Sequence, residues 1–209
     1  VMDLFPTLVE AYDLTSFTEE VGSFRGVVMD AIENKKNSDH ALAVNGRSSH
    51  GGYDPLTDPK SRPLLEIFQR CVQDYSTKVA SWPTVISSGW YNVLPPGGYT
   101  ERHRHESSVI SGAFYLKLPE NSGNLYFISP LQQYRMCEMH VKPNYYQNSA
   151  AEMNLQENWL YIFPSWLEHG SKPNESDEDR ITVSFNTYLD NDHDSPGFIA
   201  YMDNLNGNS

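Results

Sequence analysis

At Trp82-Pro83 the hydrophobic period of the chain changes, and that change constrains the fold more than any other feature. Before it, apolar residues recur at helical spacing. Leu14, Phe17, Val21, Phe24, Val28 and Ile32 form one stripe, and Leu64, Phe68, Cys71, Val72, Tyr75 and Val79 form a second. After it come short apolar runs divided by turn residues, over 85–94, 99–105, 109–118, 124–128, 135–141, 159–163 and 180–189. Two helices followed by such strands predict a mainly β fold, a sandwich or jelly roll backed by two N-terminal helices. The helical part is expected within about 15–80 and the β core within about 85–190 of a single domain spanning 1–209. With 9 Phe, 13 Tyr and 4 Trp, the chain has the side chains for a sizeable core.

Local signals refine this outline. Residues 4–14 read as a short opening strand. Ser16 with Glu19 three positions on fits a capping box for the first helix. Pro63 suits the first turn of the second, where its missing N–H is not needed. The polar stretch 34–59, with three glycines and two prolines, is expected as a long loop or lid. Pro95-Pro96-Gly97-Gly98 and 119–123 read as turns, 144–158 as a polar loop and 171–179 as an acidic turn. The tail from Asp190 reads as peripheral.

The formal net charge of −12 argues against broad binding to nucleic acid or to an anionic membrane. No apolar run approaches the ~20 residues of a membrane span. Cys71 falls on a helical apolar face and Cys137 in an expected strand, so both are expected as buried free thiols, which suits a reducing cytoplasm. A homodimer is compatible with the composition but not specified by it.

The chemistry concentrates in Gly98-Tyr99-Thr100-Glu101-Arg102-His103-Arg104-His105-Glu106. On a strand, residues two apart share a face, so His103 and His105 would present their imidazoles side by side. A third histidine, His169, follows the apolar run 159–163 and sits between Pro164 and Gly170. Three converging imidazoles suit a first-row transition metal. His40 and His50, in the long loop, read as solvated side chains. Arg102 and Arg104 either meet an anionic substrate or point outward. Arg180 stands at the entrance of the last strand, where Ile181, Val183 and Phe185 alternate with Thr182, Ser184 and Asn186. It can grip a carboxylate bidentately, or pair at the surface with Glu178 or Asp179.

In order along the chain stand Trp90-Tyr91-Asn92, Gly97-Gly98, His103-Arg104-His105, Ser111-Gly112-Ala113-Phe114-Tyr115-Leu116 and Gly123-Asn124-Leu125-Tyr126-Phe127. Phe163-Pro164-Ser165-Trp166-Leu167-Glu168-His169 and Arg180-Ile181-Thr182-Val183-Ser184-Phe185-Asn186 follow. Together with the Phe5-Pro6 start, this series resembles the Fe(II)/2-oxoglutarate-dependent oxygenases, closest to a group of uncharacterised bacterial and phage members. The resemblance implies a double-stranded β-helix of the jelly-roll, cupin-like barrel type. It also implies a dioxygenase using Fe(II), 2-oxoglutarate and O2 to oxidise a small molecule or a protein side chain, with hydroxylation as the expected outcome. By position it makes His103, His105 and His169 the metal ligands and Arg180 the grip on the far carboxylate of 2-oxoglutarate. Tyr115 and Ser184 become further contacts to that carboxylate, and Asn92 and Asn186 weaker candidates. The sequence departs from the family in placing His105 where a carboxylate is usual. Either three imidazoles bind the metal, or His103 stands behind the other two, or Glu101 is recruited. Two alternatives are a cupin-type metal protein, which would want a glutamate where Ser108 and Val109 stand, and a non-catalytic jelly-roll binding module.

Overall fold

A computed structural model of the chain describes residues 6–38, 40, 42–79, 83–131 and 148–190. Two helices, α1 (Thr18–Glu33) and α2 (Arg62–Val79), lie against one face of an antiparallel sheet. The sheet is built from β1 (Glu10–Asp13), β3 (Arg47–Ser48), β4 (Thr84–Leu94), β6 (Ile110–Lys117), β9 (Trp159–Pro164) and β11 (Arg180–Leu189), in the order β1-β9-β6-β11-β4-β3. Opposite it stand β10 (His169–Ser171), β7 (Leu125–Ile128) and β8 (Ala150–Glu152), paired in that order, and the short pair β2 (Ala43–Val44) and β5 (Tyr99–Thr100). Among the described residues no helix is long and apolar enough to cross a membrane.

The period of two along the strands decides what lies on each side of the large sheet. Ile181, Val183 and Phe185 of β11, Phe114 and Leu116 of β6, and Leu160 and Ile162 of β9 pack with Phe24, Val28, Leu64, Phe68 and Val72 of the helices. The ring of Phe68 lies 5.2 Å from that of Phe114 and 5.7 Å from that of Phe185. The alternate residues, among them Ala113, Tyr115, Tyr161 and Phe163, face Leu125, Phe127 and Leu167 in a second, smaller core. Gly112 is needed on the helical side. A Cβ there would run into the ring of Phe185, its partner across the strands.

The helices fall where the stripes place them, with two differences. The first begins at Thr18 and has no side-chain cap, so the expected capping box does not form. The turn is made earlier, by Asp13, whose carboxylate accepts from both the backbone N–H and the hydroxyl of Thr15. Val79 at the end of α2 is 44% exposed. Among the described residues the opening strand runs over Glu10–Asp13.

The stretch 34–59 is more ordered than a lid. It carries β2, β3 and the first of two successive single 3-10 turns, Pro55–Thr57 and Pro59–Ser61. Ser48 Oγ donates to the carbonyl of Tyr91, whose own N–H donates to Ser49 Oγ. Asp54 accepts from the N–H groups of Gly89 and Leu56. These bonds hold the stretch against β4.

The expected strand 99–105 is ordered as a strand only at Tyr99–Thr100. The jelly roll also does not close into a cupin-like barrel: among the described residues the sheets keep separate ladders, linked near the site by an isolated His103–His169 bridge. The expected strand 135–141, with Cys137, and the tail after Asp190 lie outside the described residues.

Candidate metal and ketoacid site

His103 and His105 reach one side of the chain although no continuous strand carries them. Backbone N–H and carbonyl groups of His103 and His169 bond reciprocally at 2.8 Å, and the N–H of His105 donates to the carbonyl of Ser165 at 3.0 Å. Pinning alternate residues in this way reproduces the geometry of a strand. Ser165 is held in turn by its N–H on the carbonyl of Val109 and by its hydroxyl on those of Ser111 and Ser108.

The three rings converge. One nitrogen from each of His103, His105 and His169 lies within 4.8 Å of the other two, and the Nε2 atoms of His103 and His105 are 3.1 Å apart. Each Nδ1 faces outward onto an oxygen: the Glu101 carbonyl at 2.7 Å, the Asn186 Oδ1 at 2.6 Å and the Leu167 carbonyl at 2.8 Å. A carbonyl oxygen only accepts, so each Nδ1 carries the proton and each Nε2 turns a lone pair inward. Facing lone pairs repel unless a cation lies between them. Two nitrogens bound to one ion at about 2.1 Å and at right angles would stand about 3.0 Å apart, close to the spacing of the His103–His105 pair. Burial pushes His105 down to about 4 and His169 to about 3, and lowers His103 as well. Neutral imidazole is the form that binds metal. The donor set fits a divalent transition ion. Among the described residues no carboxylate belongs to it: Glu101 offers only its backbone carbonyl, and its side chain takes a bond from the Tyr99 hydroxyl.

Arg180 is 1% exposed and makes no surface ion pair with Glu178 or Asp179; these pair with Lys117 and Arg47. Its Nη1 donates to the carbonyls of Ser122 and Gly123, both at 2.6 Å, and its Nη2 to Ser171 Oγ at 2.7 Å. Gly123 adopts a φ of +83°, and a Cβ there would meet the backbone of Lys172 and Pro173. Three of the five guanidinium N–H groups are thus used. Nε–H has no partner among the described residues, and one Nη2–H is left with it. A buried cation with a free donor edge and no carboxylate beside it is a fitting seat for one end of a dicarboxylate. Tyr115 stands close by; burial pushes its hydroxyl up to about 12, against the opposing pull of Arg180.

Histidines and arginine share one cavity of ≈ 240 Å³, which Trp90, Asn92, Tyr115, Thr182 and Ser184 also line. It is smaller than the ~300 Å³ at the low end of drug-sized sites. All eight anticipated residues line the cavity. Among them Asn186 has a further use: its Oδ1 accepts from His105 Nδ1 and from Ser111 Oγ, so it orients the His105 imidazole. Arg102 points outward and pairs with Glu168 at 3.0 Å, whereas Arg104 lines the cavity. His40 and His50, expected as solvated, line its mouth. Three participants were not anticipated: Trp90, Thr182 and Ser171. Ser171 lies two residues beyond His169 on a strand, so the same period-of-two reasoning that paired the first histidines would have found it.

Among curated proteins no sequence matches the chain. The solved structures it is similar to include a Pseudomonas putida prolyl-4-hydroxylase, at 12% identity and TM-score 0.64 over 88% of this chain and 94% of that one. HygX from Streptomyces hygroscopicus, with nickel, 2-oxoglutarate and hygromycin B bound, is similar at 14% identity and TM-score 0.60, over 88% and 83%. A viral collagen prolyl hydroxylase from Paramecium Bursaria Chlorella virus-1, in its 2-oxoglutarate complex, is similar at 13% identity and TM-score 0.53, over 86% and 94%. At such identities these likenesses speak for the fold. The family described as "Putative 2OG-Fe(II) oxygenase" matches residues 88–186, the segment that supplies the three histidines and Arg180. Over that segment, a little under half of the chain, the sequence is similar to the 2-oxoglutarate- and Fe(II)-dependent oxygenases.

Proposed function

We propose that the protein hydroxylates a small molecule or a protein side chain, with His103, His105 and His169 holding Fe(II) and Arg180 seating the far carboxylate of 2-oxoglutarate. The observation that carries this reading is a pairing. Three imidazoles have every outward nitrogen fixed on an oxygen and every inward nitrogen free, and a buried guanidinium beside them keeps its Nε–H unused. Bound there, iron and the ketoacid supply the oxidising power, coupling decarboxylation of 2-oxoglutarate to succinate and carbon dioxide with oxidation of the substrate by O2.

The residues of the chain supply position and shelter. Ser122, Gly123 and Ser171 fix the Arg180 plane, so its free edge is oriented before the ketoacid arrives. The hydroxyls of Tyr115 and Ser184 and the amide of Asn92 are the further polar groups offered to it. Phe163 packs edge-on against His169 at 4.6 Å and, with Phe127, keeps water from that side of the ligand set. A cupin-type site finds no support at 108 and 109, where Ser108 instead bonds the backbone of Ile110 and Thr187. The half-buried free thiol Cys71 supports residence in a reducing compartment such as the cytoplasm.

The test is formation of succinate from 2-oxoglutarate by the purified protein with Fe(II) and ascorbate under air. Turnover that disappears on chelation, even without a second substrate, is expected. A fully iron-bound protein that forms no succinate contradicts the proposal.

A further inference from the structure

All five histidines among the described residues face the one cavity, with Arg180 and Arg104, yet none of the described aspartates lines it. Among the described residues the single acidic one lining it is Glu106, whose side chain is 83% exposed at the rim and 3.9 Å from Arg104. This concentration of basic groups stands in a chain of net charge −12. Given the proposed ion and ketoacid, the charges inside do not cancel. The two negative charges of 2-oxoglutarate offset those of the ion, and because all three ligands are neutral imidazoles, the charge of Arg180 stays unmatched.

The mouth is shaped to use that excess. His40 and His50 stand edge to face with ring centres 4.4 Å apart, His50 packs edge-on against Trp90 at 4.7 Å, and Trp90 stacks on His105 at 5.7 Å. The result is a wall of flat rings running from solvent to the ligand set. The ring nitrogens of His40 and His50 have no hydrogen-bond partner among the described residues, and Arg104 has only the long contact to Glu106. Donors without acceptors and a cation without a close counter-ion line the path the substrate must take.

We propose that the primary substrate is a small molecule bearing a carboxylate, received at the mouth by Arg104, His40 and His50 and laid along the Trp90 wall. This rests on the function proposed above and adds the substrate class. Electrostatic complementarity of this kind excludes cations as effectively as it admits anions.

The probes are benzoate, benzamide and benzylammonium, one ring in three charge states, titrated by calorimetry into protein saturated with Mn(II) and 2-oxoglutarate, with retention of both followed by dialysis. Benzoate is expected to bind about tenfold more tightly than benzamide, with benzylammonium weakest. Arg104→Gln and His50→Phe should each narrow the benzoate–benzamide gap while leaving 2-oxoglutarate binding as in the wild type. Equal binding of the three, a preference for the cation, or no binding of any overturns the substrate class. Wild-type protein that takes up neither Mn(II) nor 2-oxoglutarate overturns the proposed function, and this inference with it.

Discussion

Asn186 is the most informative position to perturb. Its Oδ1 accepts from His105 Nδ1 at 2.6 Å and from Ser111 Oγ at 3.0 Å, and among the described residues no other side chain hydrogen-bonds that imidazole from behind. In Asn186→Ala the ring loses the acceptor that keeps the proton on Nδ1, so turning Nε2 toward the ion must come from packing against Trp90, His103 and His169. Removal of such an outer partner lowers metal affinity by about 10–100-fold, or about 1.4–2.7 kcal/mol. The metal-free fold suffers less. Ser111 Oγ keeps its bond to Ser165 Oγ at 2.8 Å, so about 1 kcal/mol of stability is at stake. Asn186→Asp offers the same oxygen with a negative charge and should bind the ion at least as well as wild type. The assay is Mn(II) titration followed by electron paramagnetic resonance, with urea unfolding of the metal-free proteins alongside. A Kd for Asn186→Ala within about twofold of wild type, with the fold intact, would refute the claim that the outer hydrogen bond sets this ligand.

Three further outcomes follow from the geometry. Burial holds His105 at about 4 and His169 at about 3 against an ordinary 6.5, so between those values the unfolded chain binds more protons than the folded one. The metal-free protein should keep full stability above pH 6.5 and lose it as pH falls from there. Thermal melts between pH 6.5 and about 5, above the range where carboxylates titrate, check this, and a flat profile contradicts it. Gly112→Ala drives a methyl group into the Phe185 ring and should cost about 1–3 kcal/mol in urea unfolding; a cost under about 0.5 kcal/mol means the core yields more readily than its packing implies. Arg180→Lys keeps the charge but cannot serve Ser122, Gly123 and Ser171 and still present two N–H groups to a carboxylate. The Kd for 2-oxoglutarate should rise about tenfold or more, and calorimetry showing no change would remove Arg180 from that role.

The fold was legible wherever apolar periodicity governs it. The alternation of Ile181, Val183 and Phe185 with Thr182, Ser184 and Asn186 names both faces of β11, and the helical stripes name what covers one of them. Elements that carry no such alternation escaped. Ala150–Glu152 is exposed along its length, and His169–Ser171 is three residues held by pairing with β7. The side-by-side histidines were expected for a local reason, a strand over 99–105. The actual cause is remote, in backbone bonds to Ser165 and His169, sixty or more residues away. Asn186 illustrates the same limit. Its residue type and face suggested a polar site group, but the strand register shifts between Asn186 and Thr187, and that irregularity sits where the amide meets His105. Long-range pairings and irregularities of this kind leave no local trace in composition.

The most direct measurement is an anaerobic titration of the metal-free protein with Fe(II), followed by 2-oxoglutarate, read by absorbance. One ion per chain is expected, with a visible charge-transfer band on adding the ketoacid that is lost in His169→Ala and shifted to higher 2-oxoglutarate concentration in Arg180→Lys. Iron that binds without saturating at one per chain, or a ketoacid that leaves the spectrum unchanged, would contradict the placement of three imidazoles and a guanidinium around one centre.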